Sequence, residues 1–143
     1  MIDLTKFCAK RPDPREWLRK PWMEAGLVCA SDGQIMIAVD HVIVDGEFLP
    51  EPPKEIAGRF REIQRSLECG IFSASEPVCD LPLDDAAGWV AYLPVPPGSV
   101  RLFAMEYLRL LQTLPGCQIS TNDVPNAKFA FAGGYGCLMG VRL

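Results

Sequence analysis

The chain has 143 residues, 49% of them hydrophobic and 22% charged, which is enough apolar mass for one domain core and too much for a disordered polypeptide. A formal net charge of −4 does not advertise nucleic-acid binding, but a basic cluster on one face is compatible with it. No stretch reaches the roughly 20 consecutive apolar residues of a membrane helix, and residues 1–6 lack the layout of a signal peptide, so a cytoplasmic protein without membrane contact is expected.

Residues 2–7 alternate apolar and polar, predicting a half-buried strand. Asp13-Pro14 then opens a helix that Pro21 limits to about two turns, carrying Trp17 and Leu18. Segments 27–30, 35–39 and 41–44 are β-prone and separated by Asp32-Gly33 and Asp45-Gly46. Both dipeptides suit a type I′ hairpin, so a meander of at least three strands follows.

The clearest helix spans 52–70, from Pro52-Pro53 to Cys69-Gly70, with Ile56, Phe60, Ile63 and Leu67 on one stripe. At 100° per residue, Lys54, Arg61 and Arg65 fall opposite that stripe with no carboxylate among them. Residues 71–74 and 89–95 read as strands around an acidic turn-rich stretch. A third helix over 104–114 places Ala104, Tyr107, Leu108, Leu111 and Leu114 on one face, and Pro115-Gly116 stops it. Strands at 118–120, 129–131 and 138–143 complete a single α+β domain over 1–143, an antiparallel sheet packed against two or three helices.

No spacing supports catalysis or a cofactor. The cysteines at 8, 29, 69, 79, 117 and 137 form no Cys-x-x-Cys pair and have only His41 as an imidazole partner, so free thiols are expected and zinc is not. His41 lacks a nucleophile elbow and reads as a strand residue at a sheet edge. The Asp84-Asp85 pair reads as solvated turn. Gly133-Gly134 and Gly136 precede a strand and not a helix, which favours a hairpin with Tyr135 at its tip over a phosphate loop. A non-enzymatic protein with no catalytic residue, metal or cofactor is expected.

Two motifs, Ser31-Asp32-Gly33-Gln34-Ile35-Met36 and the terminal Leu138-Met139-Gly140-Val141-Arg142-Leu143, resemble those of one domain of the bacterial DNA polymerase sliding clamp. In that family two helices pack on antiparallel sheet, an early Thr-Asp-Gly hairpin precedes a strand, and the last strand ends in Arg-Leu. The chain has room for one such domain, whereas a bacterial clamp subunit has three. The resemblance implies a role in DNA replication or repair through contacts to the phosphate backbone of double-stranded DNA. Lys54, Arg61, Arg65, Arg15 and Arg19 are the candidates for that contact. It also implies peptide partners at Met139, Val141, Arg142 and Leu143, and a homo-oligomer if a ring forms. The alternative is a small intracellular, phage-like regulator or inhibitor that binds a protein and not DNA.

Overall fold

Asp3 turns the chain almost as soon as it has begun. In the computed structural model, which describes residues 1–10, 15, 18–55, 75–80, 90–95, 99–120 and 126–140, β1 is only Ile2–Asp3. The Asp3 carboxylate accepts from the Thr5 N–H at 3.0 Å and the Thr5 hydroxyl at 2.6 Å, capping a 3-10 helix over Leu4–Phe7. Leu4 and Phe7, three residues apart and so one 3-10 turn, both point into the core. The strand expected over 2–7 is corrected accordingly: a local cap outweighs the period-two pattern.

Of the helix expected from Asp13-Pro14, residues 13, 14, 16 and 17 lie outside the described residues. Arg15 has no regular structure, and the Leu18 N–H bonds the Arg15 carbonyl at 3.0 Å, an i to i+3 turn. A three-stranded antiparallel meander follows, with β2 at Trp22–Glu24, β3 at Leu27–Ser31 and β4 at Ile35–Asp40. The turn with positive φ at both central positions joins β2 to β3 at Ala25 (φ 51) and Gly26 (φ 81), where Glu24 pairs with Leu27. At Asp32-Gly33 the hairpin forms as expected, but only Gly33 is left-handed (φ 97). The Asp32 carboxylate replaces the missing backbone geometry by accepting from the Gln34 and Ile35 N–H groups at 2.8 and 3.1 Å.

The third expected strand, 41–44, is mostly a 3-10 turn, His41–Ile43, capped by Asp40. The short β5, Val44–Asp45, does not extend the meander but pairs in parallel with β1. His41 therefore sits at a helical turn and not in a sheet-edge strand. Residues 56–74, which carry most of the expected second helix and the strand after it, lie outside the described residues.

The remaining elements are β6 (Ser75–Pro77), a 3-10 turn over Val78–Asp80, the hairpin β7 (Val90–Val95) and β8 (Ser99–Ala104), and helix α1 (Met105–Gln112). Strands β9 (Gln118–Ser120), β10 (Asn126–Phe131) and β11 (Gly134–Met139) follow. The main sheet has seven strands in the order β2-β3-β4-β11-β10-β9-β6, each pair antiparallel. This is a mixed α+β chain with one α-helix among the described residues, where two or three were expected. The expected strand to the last residue stops at Met139, and 141–143 lie outside the described residues.

Helix α1 forms where the 3.6-residue period places it, and it buries Met105, Leu108 and Leu111. These belong to one core with a row that runs across five strands: Ala30, Ile37, Gly136, Phe129 and Ile119 are successive cross-strand partners, and all but the glycine join that core with Leu4 and Phe7. Trp22, Cys29 and Ala38 belong to a second, smaller cluster with Ala9 and Leu18. The β10–β11 turn is Ala132-Gly133, because Phe131 pairs with Gly134. Tyr135, expected at the hairpin tip, lies in β11 opposite Ala130.

Candidate functional site

The deep clustering of Leu4, Phe7 and Cys8 pulls the N-terminal segment onto the core, which leaves Lys6 and Lys10 exposed on the outer side of the same segment. Opposite them stands α1, with Glu106 exposed and Tyr107 and Leu110 half-buried, packed on the rim of the core. The β3–β4 turn closes one end. Together these segments and Arg15 bound a cleft of about 560 Å³, lined by Lys6, Cys8, Ala9 and Lys10 on one side and Glu106, Tyr107 and Leu110 on the other, with Asp32 and Gln34 between.

Asp32 organises this site. One carboxylate oxygen holds the turn through Gln34 and Ile35, and the other accepts a short hydrogen bond from the Tyr107 hydroxyl. Arg15 donates to the Asp32 carbonyl at 3.2 Å, and its guanidinium lies where a side chain on Gly33 would stand. The positive φ is what favours glycine there, since the arginine tip could move aside for a Cβ. Burial, with the hydrogen bond to Asp32 second, pushes the Tyr107 hydroxyl up from its usual value, so it stays protonated as a donor.

The groups around this cleft include one thiol. Cys8 lines the cleft, but burial, with the charges of Asp3 and Asp32 next, pushes its thiol up to about 12, and its Sγ is 3.4 Å from the Leu4 carbonyl. A neutral, hydrogen-bonded thiol is a poor nucleophile. His41 lies 3.5 Å from Asp40, with 57% of its side chain exposed. Among the described residues no three His, Cys, Asp or Glu side chains group as metal ligands, and no helix is long and apolar enough to cross a membrane.

Of the residues singled out for DNA contact, the structure describes Arg15, Arg19 and Lys54. Arg15 lines the cleft, whereas Arg19 is half-buried in the bend before β2. The two are not one turn apart on an α-helix, as the sequence suggested. Lys54 is exposed in a turn, and Arg61 and Arg65 lie outside the described residues, as do Val141, Arg142 and Leu143. Met139 is 47% exposed at the end of β11, and its N–H bonds the carbonyl of cleft-lining Gln34 at 2.9 Å. Lys6, Lys10 and Tyr107 went unrecognised as site residues. Their signal was the pair of lysines on the solvent side of a segment whose Leu4 and Phe7 are apolar.

Five cysteines, at 8, 29, 79, 117 and 137, are free thiols. Three of them are buried, as their apolar surroundings suggest. Comparison of the chain with protein-family models, curated proteins and solved structures finds no match in any of the three.

Proposed function

We propose that the chain is a non-enzymatic binding module resembling one domain of the bacterial sliding clamp, which acts in DNA replication or repair by holding the phosphate backbone of double-stranded DNA. The observation that carries this reading is the convergence of Lys6, Lys10 and Arg15 on one cleft, where they outnumber the carboxylates of Asp32 and Glu106, on a chain of net charge −4. Further support comes from the two motifs behind the resemblance. They are far apart in sequence yet adjacent in space, since Ile35 pairs with Leu138 and Met139 bonds to Gln34.

Binding of a fluorescent duplex to the full chain tests the reading. The affinity falls as salt rises, with a log–log slope of roughly −0.9 per phosphate contacted. Lys6→Ala and Lys10→Ala each reduce that slope by about one and weaken all duplex sequences alike. No binding at about 50 mM salt overturns the reading. Light scattering on the same samples reads the self-association that a ring of single domains requires.

The alternative, a phage-like regulator that binds a protein and not DNA, has the exposed Met139 beside Gln34 as its supporting observation. It predicts a Met139→Glu variant that loses its protein partner, and a wild-type chain indifferent to the duplex.

A further inference from the structure

The cleft has two chemically different walls. Lys6 and Lys10 on the N-terminal segment, with Arg15 beside them, supply positive charge. Helix α1 supplies Tyr107 and Leu110, one turn apart, whose apolar surface continues into the core, and the exposed Glu106, which with Asp32 sets two carboxylates against the three cations. Tyr107 is not free to swing away, because its hydroxyl is tied to Asp32 and Asp32 is itself tied to the turn. A tethered aromatic side chain and three cationic ones lining one cleft suit a ligand that is anionic at one end and flat and apolar at the other.

A cleft of about 560 Å³ is also in the size range that encloses a small organic group, not an inorganic anion alone. A duplex presents phosphates to the lysines but keeps its base faces stacked on one another, out of reach of Tyr107. A single strand presents both.

We infer that the cleft is a subsite for one unpaired nucleotide of a single strand, with its phosphate against Lys6, Lys10 and Arg15 and its base on Tyr107 and Leu110. This deepens the phosphate-backbone reading and rests on it. The contribution of the base distinguishes the subsite from a surface that attracts phosphate alone, and Tyr107 is the residue that reads it.

The test compares three labelled probes on the full chain at about 50 mM salt: an oligothymidylate, an abasic strand with the same number of phosphates, and a duplex of the same length. The oligothymidylate is expected to bind roughly tenfold tighter than the abasic strand, the gain of one stacked base. Tyr107→Phe, which keeps the ring but loses its tether to Asp32, retains only part of this difference, Tyr107→Ala removes it, and Lys6→Glu with Lys10→Glu weakens both strands equally. If Tyr107→Ala does not fold, the wild-type comparison decides alone. Equal binding of the oligothymidylate and the abasic strand overturns the inference, and tight duplex binding in that case leaves the broader reading standing. If none of the three probes binds, both fail. Displacement of the oligothymidylate by deoxythymidine monophosphate at equal nucleotide concentration overturns the assignment to a strand and gives the subsite to free nucleotides.

Discussion

Asp32 carries more of the structure than any other polar side chain described, because one carboxylate serves the β3–β4 turn, and through Tyr107 it also fastens α1. Removing it leaves two backbone N–H groups and a half-buried hydroxyl without their acceptor. Asp32→Ala is therefore expected to cost about 1–3 kcal/mol in denaturant unfolding, and to loosen the Tyr107 surface so that base-dependent binding falls with it. Asp32→Asn, which keeps one acceptor oxygen, recovers most of the stability. The buried thiols give a second residue-level expectation. Burial pushes Cys117 up to about 12 and Cys137 to about 11, the latter against the opposing charge of Lys128, from an ordinary value of 9.0. Unfolded thiols ionise near 9 while the folded ones hold their protons, so their contribution is complete below pH 9 and is lost as pH rises towards 11 and 12. Denaturation midpoints measured from pH 8 to 11 should fall steadily above pH 9, and Cys117→Ala should flatten the fall.

At the scale of elements, the pairing of β10 with β11 explains a glycine cluster that resembles a phosphate loop when read along the chain. Gly136 is the cross-strand partner of Phe129, and Gly134 that of Phe131. The space that a Cβ on Gly136 would need is taken by the Phe129 ring and the Met36 carbonyl. The two phenyl rings stand 6.4 Å apart between centroids at 21°, over strand positions that have no side chain of their own. Gly136→Ala must push the ring or the β4 backbone aside, and a loss of about 1–3 kcal/mol is expected from overpacking, visible as a lowered midpoint with an unchanged denaturant slope. The β2 edge of the sheet faces a different constraint. The open edge of β2 is met by Leu49, whose carbonyl accepts from the Met23 N–H at 2.7 Å and whose N–H bonds Pro21 at 2.9 Å. That edge is thereby partly satisfied by the chain itself and is less available for strand addition by a second copy.

For the whole molecule, the antiparallel order β2-β3-β4-β11-β10-β9-β6 sets strands from the first third of the chain beside strands from the last, and the cleft depends on that. Lys6, Arg15, Asp32 and Tyr107 come from four separate stretches, and the Tyr107–Asp32 hydrogen bond alone spans 75 residues. What the sequence by itself determined was local. The 3.6-residue period of α1, the β-prone segment at β9, the Asp-Gly hairpin and the apolar settings of the cysteines are all written within a few neighbouring residues, where backbone sterics and side-chain spacing act directly. Competing local signals explain the corrections: the Asp3 and Asp40 caps outweighed strand alternation, and Ala25 took a left-handed position that composition assigns to glycine or asparagine. Only the tertiary structure decided that β5 would join β1 in parallel, that phenylalanines would cover Gly134 and Gly136, and that two lysines, an arginine and a tethered tyrosine would line one cleft. Those arrangements follow from strand order and the burial of one shared core, and such long-range choices leave no period or spacing along the chain from which to read them.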